Sequence, residues 1–598
     1  MAGTRDALIA SGPKLKGDAI MAADIYERVM DLARRRGFVW PTSEPYGAVA
    51  GFIDYGPLGA MMKRRIEETW RSFYVVREGF YEIECPTVGQ EAIYIASGHV
   101  KGFSDKMVQC PHCNEYLRAD HVVEGGGRCA NAATLDEAAL CRELEDLACP
   151  ACGEPFGRVE VFGFSLMFQT SIGPGSQRTG YLRPETAQGI FTDFARLLRF
   201  YRDKLPFGAI QIGKSYRNEI SPRQGMIRLR EFTQAEAEIF VHPGKKAHPN
   251  FARYAGYRMP LLGYAQQEAG EPAVEMSMAE AVASGTVANE YVAYYLALTH
   301  EFLCRVGVAP DRLRFRQHLP DERAHYACDC WDAECHSARF GWVETVGIAD
   351  RTDYDLRAHA SHSGEPFTVF IQYPEPIRRR ETRVVPRMGA LGPRFRGKAK
   401  AVADAIAATD PTVAAAPAGF SVELDGAPLE VTPDLYDVLE VEVEVQGEEV
   451  MPHVIEPSYG IDRILYSVLE HRFDEEPVED GTRTVLRLPP SIAPIQVAVF
   501  PLMGRDGLDT LAASLADELK AAGLMAEYDD SGAIGRRYRR QDEIGTPFAV
   551  TVDYDTLEDG TVTLRDRDTM RQVRLARADL AGTCCALCAG RATFADLE

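Results

Sequence analysis

The sequence predicts an α+β protein: a broad antiparallel sheet interrupted by insertions, followed by a small C-terminal α/β domain. Three observations predict it. At 598 residues the chain is too long for one core, so two or three domains are expected. Residues 211–240, QIGKSYRNEISPRQGMIRLREFTQAEAEIF, hold two strand-like runs around one short turn, Ser221-Pro222-Arg223-Gln224-Gly225. Beyond the proline-rich LRLPPSIAP at 486–494, strands at 495–500 and 525–528 alternate with a helix at 508–522, the pattern of an α/β domain.

Composition narrows the class. Hydrophobic residues are 46% of the chain, enough for buried cores. No apolar run is long enough to cross a bilayer, and MAGTRDALIASGPKLKG lacks the apolar stretch of a signal peptide. A soluble, cytoplasmic protein with no membrane partner is expected. Fourteen cysteines then argue for metal binding or free thiols rather than a disulfide framework. The formal net charge of −22 opposes non-specific nucleic-acid binding but leaves room for a local basic patch. Only 12 of the 66 basic residues are lysines, which a salt-adapted host and a GC-rich genome explain equally.

The hairpin carries the chemistry. Side chains two apart on a strand share a face, so Arg217 and Glu219 point together on the first run. On the second, Arg228, Arg230, Phe232, Gln234, Glu236 and Glu238 share one face, while Ile227, Leu229, Ala235, Ala237 and Ile239 form the buried one. Arginines and carboxylates lined along one sheet surface are costly unless a ligand or water meets them. An aromatic ring beside arginines suits a nucleotide, with the ring stacked on a base and the guanidinium forks on phosphate oxygens. A solvated hairpin is the plain alternative.

Taken in order, the chain opens with a helix over 22–36 stopped by Gly37. Gly56-Pro57 begins a second helix running to about 73, and a strand at 79–85 stops at Pro86. Cys110-Pro-His-Cys113 and Cys149-Pro-Ala-Cys152 have the spacing that lets paired thiolates reach one tetrahedral zinc, with Cys129 and Cys141 between them as rival ligands. Such a zinc would be structural, since four cysteines leave no open position. YLRPETAQG at 181–189 precedes a helix over 190–203. An insertion at about 242–310 includes an amphipathic helix at 289–305. Trp342-Val343-Glu344-Thr345 alternates as a strand and Arg351 follows the Gly347 break. Cys328, Cys330, Cys335 and His336 are spaced irregularly for a knuckle and are read as no metal site. Residues 378–418 form an insertion whose helices pack on the catalytic core. A half-exposed strand at 439–445 follows, and MPHVIEPSYGIDR at 451–463 reads as a strand entering a helix. GRRYRRQDEIGTP gathers four arginines and one tyrosine, suited to phosphates and a stacked base.

These segments together resemble the class II aminoacyl-tRNA synthetases. The helix and strand before Pro86 are similar to motif 1, the dimer interface of that class. RNEISPRQGMIRLREFTQAEAE resembles motif 2, and PSYGIDR resembles motif 3 with Ser458 in place of its first glycine. That serine, YLRPETAQG and the long motif 2 resemble in particular the glycyl-tRNA synthetases of the archaeal and eukaryotic dimeric type. The resemblance implies a catalytic domain over residues 1–490, with insertions at about 104–160, 242–310 and 378–430, and an anticodon-binding domain over 491–598.

It also implies roles. Arg217, Glu219 and Arg463 would be catalytic. Arg217, Asn218, Glu219, Arg228, Leu229, Phe232, Glu344, Thr345, Gly460 and Arg463 would bind ATP, with Glu344 on Mg²⁺. Arg118, Glu185, Phe232, Thr233, Gln234, Glu236, Arg351, Glu456 and Ser458 would bind glycine. By their spacing, not by the resemblance, Cys110, Cys113, Cys149 and Cys152 would hold Zn²⁺. The expected partners are tRNA(Gly), glycine, ATP and a second copy of the chain. Three rival readings have their own discriminators. A binding-only paralogue is disfavoured because every needed arginine and carboxylate is present. A synthetase for alanine, serine or proline would show in an exchange assay across those amino acids. A zinc hydrolase would need an open His/Asp/Glu metal set.

Overall fold

The computed structural model describes residues 16–129, 131–175, 178–220, 222, 225–320, 322, 327–424, 427–478 and 481–597. The N-terminal stretch 1–15 and the turn residues Ser221, Arg223 and Gln224 lie outside them.

A nine-stranded sheet positions the site. Its strands are Tyr81–Glu82 (β1), Phe207–Tyr216 (β2), Glu231–Val241 (β3), Arg258–Leu262 (β4), Val274–Ser277 (β5), Leu313–Gln317 (β6), Asp329–Ser337 (β7), Gly341–Thr352 (β8) and His453–Gly460 (β9). The spatial order is β5-β4-β6-β7-β8-β9-β3-β2-β1. All neighbours are antiparallel except β1 with β2 and β4 with β6.

The predicted hairpin forms, with Gln211 opposite Glu236 and Ser215 opposite Phe232. Its second strand starts at Glu231, later than the alternation suggests. Arg230 explains the delay. Its N–H donates to the Gly51 carbonyl at 2.7 Å, and its guanidinium donates to the carbonyls of Glu219 and Ala50 at 2.8 and 2.9 Å. Arg230 is thus tied to the loop around Gly51 and does not reach the ligand face. From Glu231 onward the period of two holds. Ala235, Ala237, Ile239 and Val241 enter the core, and Gln234, Glu236 and Glu238 take the other side, all of them buried.

Three helices close the apolar face: Pro57–Arg71 (α1), Glu290–Arg305 (α2) and Ile461–Arg472 (α3). Trp70 and Tyr74 stack at 4.5 Å, and the buried hydroxyl of Tyr459 meets those of Tyr74 at 2.9 Å and Thr299 at 2.6 Å. Each fully buried side chain of this kind contributes about 1.5–3 kcal/mol of transfer free energy. The reading of α2 as amphipathic gives way to a helix buried on nearly all sides. Asn289 caps it, accepting from the N–H groups of Tyr291 and Val292 while its amide donates to Asp350 of β8. Residues 242–310 therefore build the sheet, through β4, β5 and α2, rather than decorate it.

Other boundaries also shift. The strand expected over 79–85 is the two-residue β1, and the helix expected over 190–203 is two, Ala187–Thr192 and Phe194–Phe200.

Residues 104–165 carry a three-stranded sheet, Ser104–Gln109, Tyr116–Arg118 and Val161–Ser165, over a small core of Val108, Val123, Leu140, Leu144 and Phe156. Thr368–Val450 is a compact unit of its own. In it, Val369–Pro386 pairs with Tyr436–Val450, the strand foreseen at 439–445. Its helices Met388–Phe395 and Ala399–Ala407 close a core with Val384, Val431 and Tyr436 inside this unit.

The C-terminal sheet runs Ala526–Tyr528, Val497–Pro501, Phe548–Val552, Thr561–Asp566 and Gln572–Ala576. The first three are parallel, with helices Leu508–Ala521 and Ile534–Ile544 (α4) between them in sequence. Arg483, fully buried, ties this domain to the body through Asp542 at 2.8 Å. Among the described residues, no helix is long and apolar enough to cross a membrane.

Candidate active site

One cleft on the polar face of the sheet is lined by Glu185, Arg217, Glu219, Arg228, Leu229, Phe232, Thr233, Gln234, Glu236, Glu344, Thr345, Glu456, Ser458, Gly460 and Arg463. The hairpin, the YLRPETAQG loop, β8 and the β9–α3 junction thus converge, although they lie up to 278 residues apart in sequence.

At one end the cleft is cationic and aromatic. Arg217 sits between the rings of Phe103 and Phe232, its guanidinium carbon 5.4 Å from each centroid, a cation–π arrangement that preorganises the fork. Arg228 reaches Glu219 at 3.7 Å. From α3, Arg463 donates to the carbonyls of Ile227 at 2.9 Å and Glu344 at 2.7 Å, which fixes it over the mouth. The Glu344 carboxylate is exposed there, 3.5 Å from Arg463.

The other end is acidic. Glu236 is fully buried and saturated with donors: the Thr186 N–H at 2.7 Å, the Thr186 hydroxyl, the Gln234 amide at 2.9 Å and the Ser458 hydroxyl at 2.6 Å. Burial and the nearby Glu185 charge raise its pKa, opposed by those hydrogen bonds. Glu185 accepts from Gln188 at 2.7 Å and faces His99 at 3.5 Å. Burial pushes Glu185 up, but His99, Arg351 and Gln188 outweigh it and leave the carboxyl below its usual range. Glu456 accepts from Arg351 at 2.6 Å, yet burial raises it to about 8, helped by Glu236 and Glu185. Three carboxylates around one small volume with a single guanidinium behind them form a site for a cation.

Local structure explains how the acidic end is held. Arg183 crosses β2 and donates to the carbonyls of Lys214 at 2.7 Å and Cys85 at 2.9 Å. It passes directly over Gly213, where a Cβ would lie 2.0 Å from its Nη2, so a larger residue at this strand position would displace the guanidinium. The staple sets Thr186 against Glu236 and Glu185 against the cleft.

Three expected contacts lie elsewhere. Arg118 lines a neighbouring cavity shared with Glu219 and Arg228, and is ion-paired to Asp105 at 3.3 Å and to Asp120. Arg351 does not line the cleft but backs Glu456 and is forked onto Asp355 at 2.8 and 3.0 Å. Asn218 also stays off the lining, its N–H bonded to the Leu166 carbonyl at 2.8 Å.

Sequence reasoning missed Asp462, which accepts from the Thr233 N–H and the Tyr55 hydroxyl and so locks α3 to β3 beneath the cleft. Its place beside Arg463 was the available signal. Thr186 and His99 were missed too, because their partners Glu236 and Glu185 are remote in sequence, and so were Gln188 and Asp355, which lie three and four residues from Glu185 and Arg351.

The Cys110, Cys113, Cys149 and Cys152 sulfurs lie within 4.8 Å of one another, with Cys110–Cys152 at 3.7 Å and Cys113–Cys149 at 3.9 Å. The two turns have the same build: Asn114 and Gly153 take positive φ, and their N–H groups return to the carbonyls of Cys110 and Cys149. Zn–S bonds of about 2.3 Å imply S···S edges of ~3.8 Å, so the set fits a tetrahedral ion. Cys129 and Cys141 stay outside it, packed against the core of that module. Among the described residues, Cys328, Cys330, Cys335 and His336 form no such group.

Residues 170–254 match the family described as tRNA synthetase class II core domain (G, H, P, S and T), and 496–586 match the anticodon binding domain. Proteins named Glycine--tRNA ligase are 56% identical in Methanothrix thermoacetophila, over 92% of this chain and 95% of theirs, and 52% identical in Methanothermobacter thermautotrophicus, over 93% and 98%. The chain belongs to the glycine--tRNA ligase family. A third member, from Methanocaldococcus jannaschii, is 49% identical over 93% of this chain and 97% of its own. Giardia lamblia prolyl-tRNA synthetase in complex with prolyl-adenylate shares the fold, with a TM-score of 0.50 at 15% identity, covering 94% of this chain and 75% of that one. This member of the glycine--tRNA ligase family is thus built as a class II synthetase core on an antiparallel sheet with a C-terminal anticodon-binding domain.

Proposed function

We propose that this protein is a glycine--tRNA ligase that joins glycine to the 3′ end of tRNA(Gly) in two steps. In the first, a glycine carboxylate oxygen attacks the α-phosphorus of ATP and pyrophosphate leaves, giving glycyl-adenylate. In the second, a hydroxyl of the terminal ribose attacks the glycyl carbonyl carbon and AMP leaves. The nucleophile of the first step is already an anion, so the residues act by positioning and charge neutralisation. Arg217 holds the α-phosphate, Phe232 and Glu219 take the adenine, and Arg228 and Arg463 hold ATP from its two ends. Glu185, Glu236 and Glu456 take the ammonium, and Ser458 narrows the pocket. The observation that carries this reading is the meeting of those three carboxylates with Arg217, Phe232 and Arg463 in one cleft.

Glycine has no side chain to grip, so selectivity rests on exclusion of larger amino acids. Mg²⁺ would be held with ATP by the open carboxylate of Glu344, a hard oxygen donor, and would neutralise phosphate charge. Zn²⁺ would be held by the four cysteines as a structural ion. Residues 1–490 form the catalytic part and 491–598 the tRNA-reading part of a cytoplasmic homodimer. The test is ATP–pyrophosphate exchange across glycine, alanine, serine and proline, followed by charging of tRNA(Gly). Glycine alone should support both; equal exchange with another amino acid would overturn the reading.

A further inference from the structure

Two neighbouring rungs between β3 and β9 differ in chemistry. Glu236 pairs with Ser458 and Ile239 with Ile455, so the register sets Glu238 opposite Glu456. The first rung joins an acceptor to a donor, Ser458 to Glu236 at 2.6 Å. The second joins two carboxyls. Glu456 reaches the cleft and is held by Arg351; Glu238 lies one layer deeper, is fully buried, and neither of its oxygens has a hydrogen-bond partner.

A buried carboxylate with no donor, directly across from another acidic group, is among the costlier arrangements a sheet can hold. The charged groups that face Glu238 are Glu456 on β9, Arg351 at the end of β8, Asp355 on the helix Tyr354–Ser363 and Glu236 on its own strand. Three of the four are acidic, and Arg351 is already engaged by Asp355 and Glu456. A proton on the rung removes the conflict, because it turns one of two acceptors into a donor.

On the reading of the pocket given above, we infer that Glu238 is a positioning residue: it keeps a proton, donates it to Glu456, and so holds the Glu456 carboxylate toward the substrate ammonium. Burial, reinforced by Glu456, Glu236 and Asp355 against Arg351, raises Glu238 well above the usual carboxylate range, whereas Glu456 has the Arg351 guanidinium on it at 2.6 Å and is the member that carries the charge. Paired carboxyls whose surroundings separate their acidities divide labour in this way.

The test compares Glu238→Leu, which keeps bulk and neutrality without a donor, with Glu238→Gln, which restores one. Glycine-dependent exchange by the wild-type enzyme comes first, since its absence would sink the functional reading and not this inference. Glu238→Leu should raise the KM for glycine about tenfold with the KM for ATP unchanged, the scale of one hydrogen bond to a charged group, and Glu238→Gln should recover most of the loss. Both variants behaving as wild type, or Glu238→Gln failing as badly as Glu238→Leu, would overturn it. Should Glu238→Leu not fold, the infrared difference spectrum of wild type against Glu238→Gln decides. A protonated-carboxyl carbonyl band present at neutral pH only in the wild type supports the inference, and its absence refutes it.

Discussion

The Ser458 hydroxyl donates to the Glu236 carboxylate at 2.6 Å across the β3–β9 rung, so the residue that narrows the pocket also orients one of the charges that define it. Burial shows why both are needed. Glu236 is fully buried, and each lone pair left without a donor would raise its cost. Ser458→Ala should therefore raise the KM for glycine about tenfold, from loss of one charge-assisted hydrogen bond, with ATP binding intact. Steady-state exchange kinetics check this, and an unchanged KM would show that the Thr186 and Gln234 bonds suffice.

Arg351 and Glu456 form a buried ion pair at 2.6 Å. Removing one partner of such a pair costs about 3–5 kcal/mol, because the other charge is left stranded. Arg351→Met should lower the unfolding midpoint in urea and weaken glycine binding together. A variant as stable as wild type, with glycine binding intact, would mean that Asp355 and Gln188 carry that wall alone.

The acidity of Glu456 makes a pH prediction. Its folded pKa of about 8 lies above the ordinary value of 4.5, so between those values the folded protein binds the proton more tightly than the unfolded chain. This contribution to stability is present below the unfolded pKa and is lost as pH rises toward 8. Thermal melts of wild type from pH 5 to pH 8 should fall more steeply than those of Glu456→Gln; parallel slopes would contradict the assignment.

Zinc removal should act on the module at residues 104–165. With Cys113→Ser the bound zinc should drop from one per chain toward none, and an early unfolding transition should separate from that of the body. Metal analysis and calorimetry measure both. Full zinc content in the variant would contradict the ligand set.

Helix α4 carries the arginines of GRRYRRQDEIGTP, but only two of the four stand exposed, and one of those, Arg539, lies 4.0 Å from Asp542. Arg537 is buried against the carbonyls of Pro501 and Gly532, and Arg540 is paired with Asp529, which leaves Arg536 and Arg539 exposed. Changing those two to alanine should raise the KM for tRNA and flatten its salt dependence by about two contacts, with glycine exchange unchanged. Equal loss in both assays would place the effect outside tRNA binding.

Local signals made much of this legible. The period of two in TQAEAEIFV gave the faces of β3, Gly37 ended the first helix with φ of 73°, and CPHC with CPAC gave the four thiols. What could not be read was decided by partners distant in the chain. Arg230 was lost to the Gly51 loop and delayed β3, and α2 looked amphipathic although Tyr291 to Thr299 are buried without a break. Arg118, expected on the substrate, lies in the adjoining cavity paired with Asp105 and Asp120. Asp462 and Thr186 each hold the site through two hydrogen bonds to residues dozens or hundreds of positions away, which no spacing records.

The most direct measurement is glycine-dependent ATP–pyrophosphate exchange by Glu236→Ala, alongside ATP binding and a thermal melt of the same variant. Glu236 anchors the acidic end through Thr186, Gln234 and Ser458, so exchange should fall by at least ~100-fold while ATP binding and the fold persist. Exchange at the wild-type rate would contradict the account of the pocket.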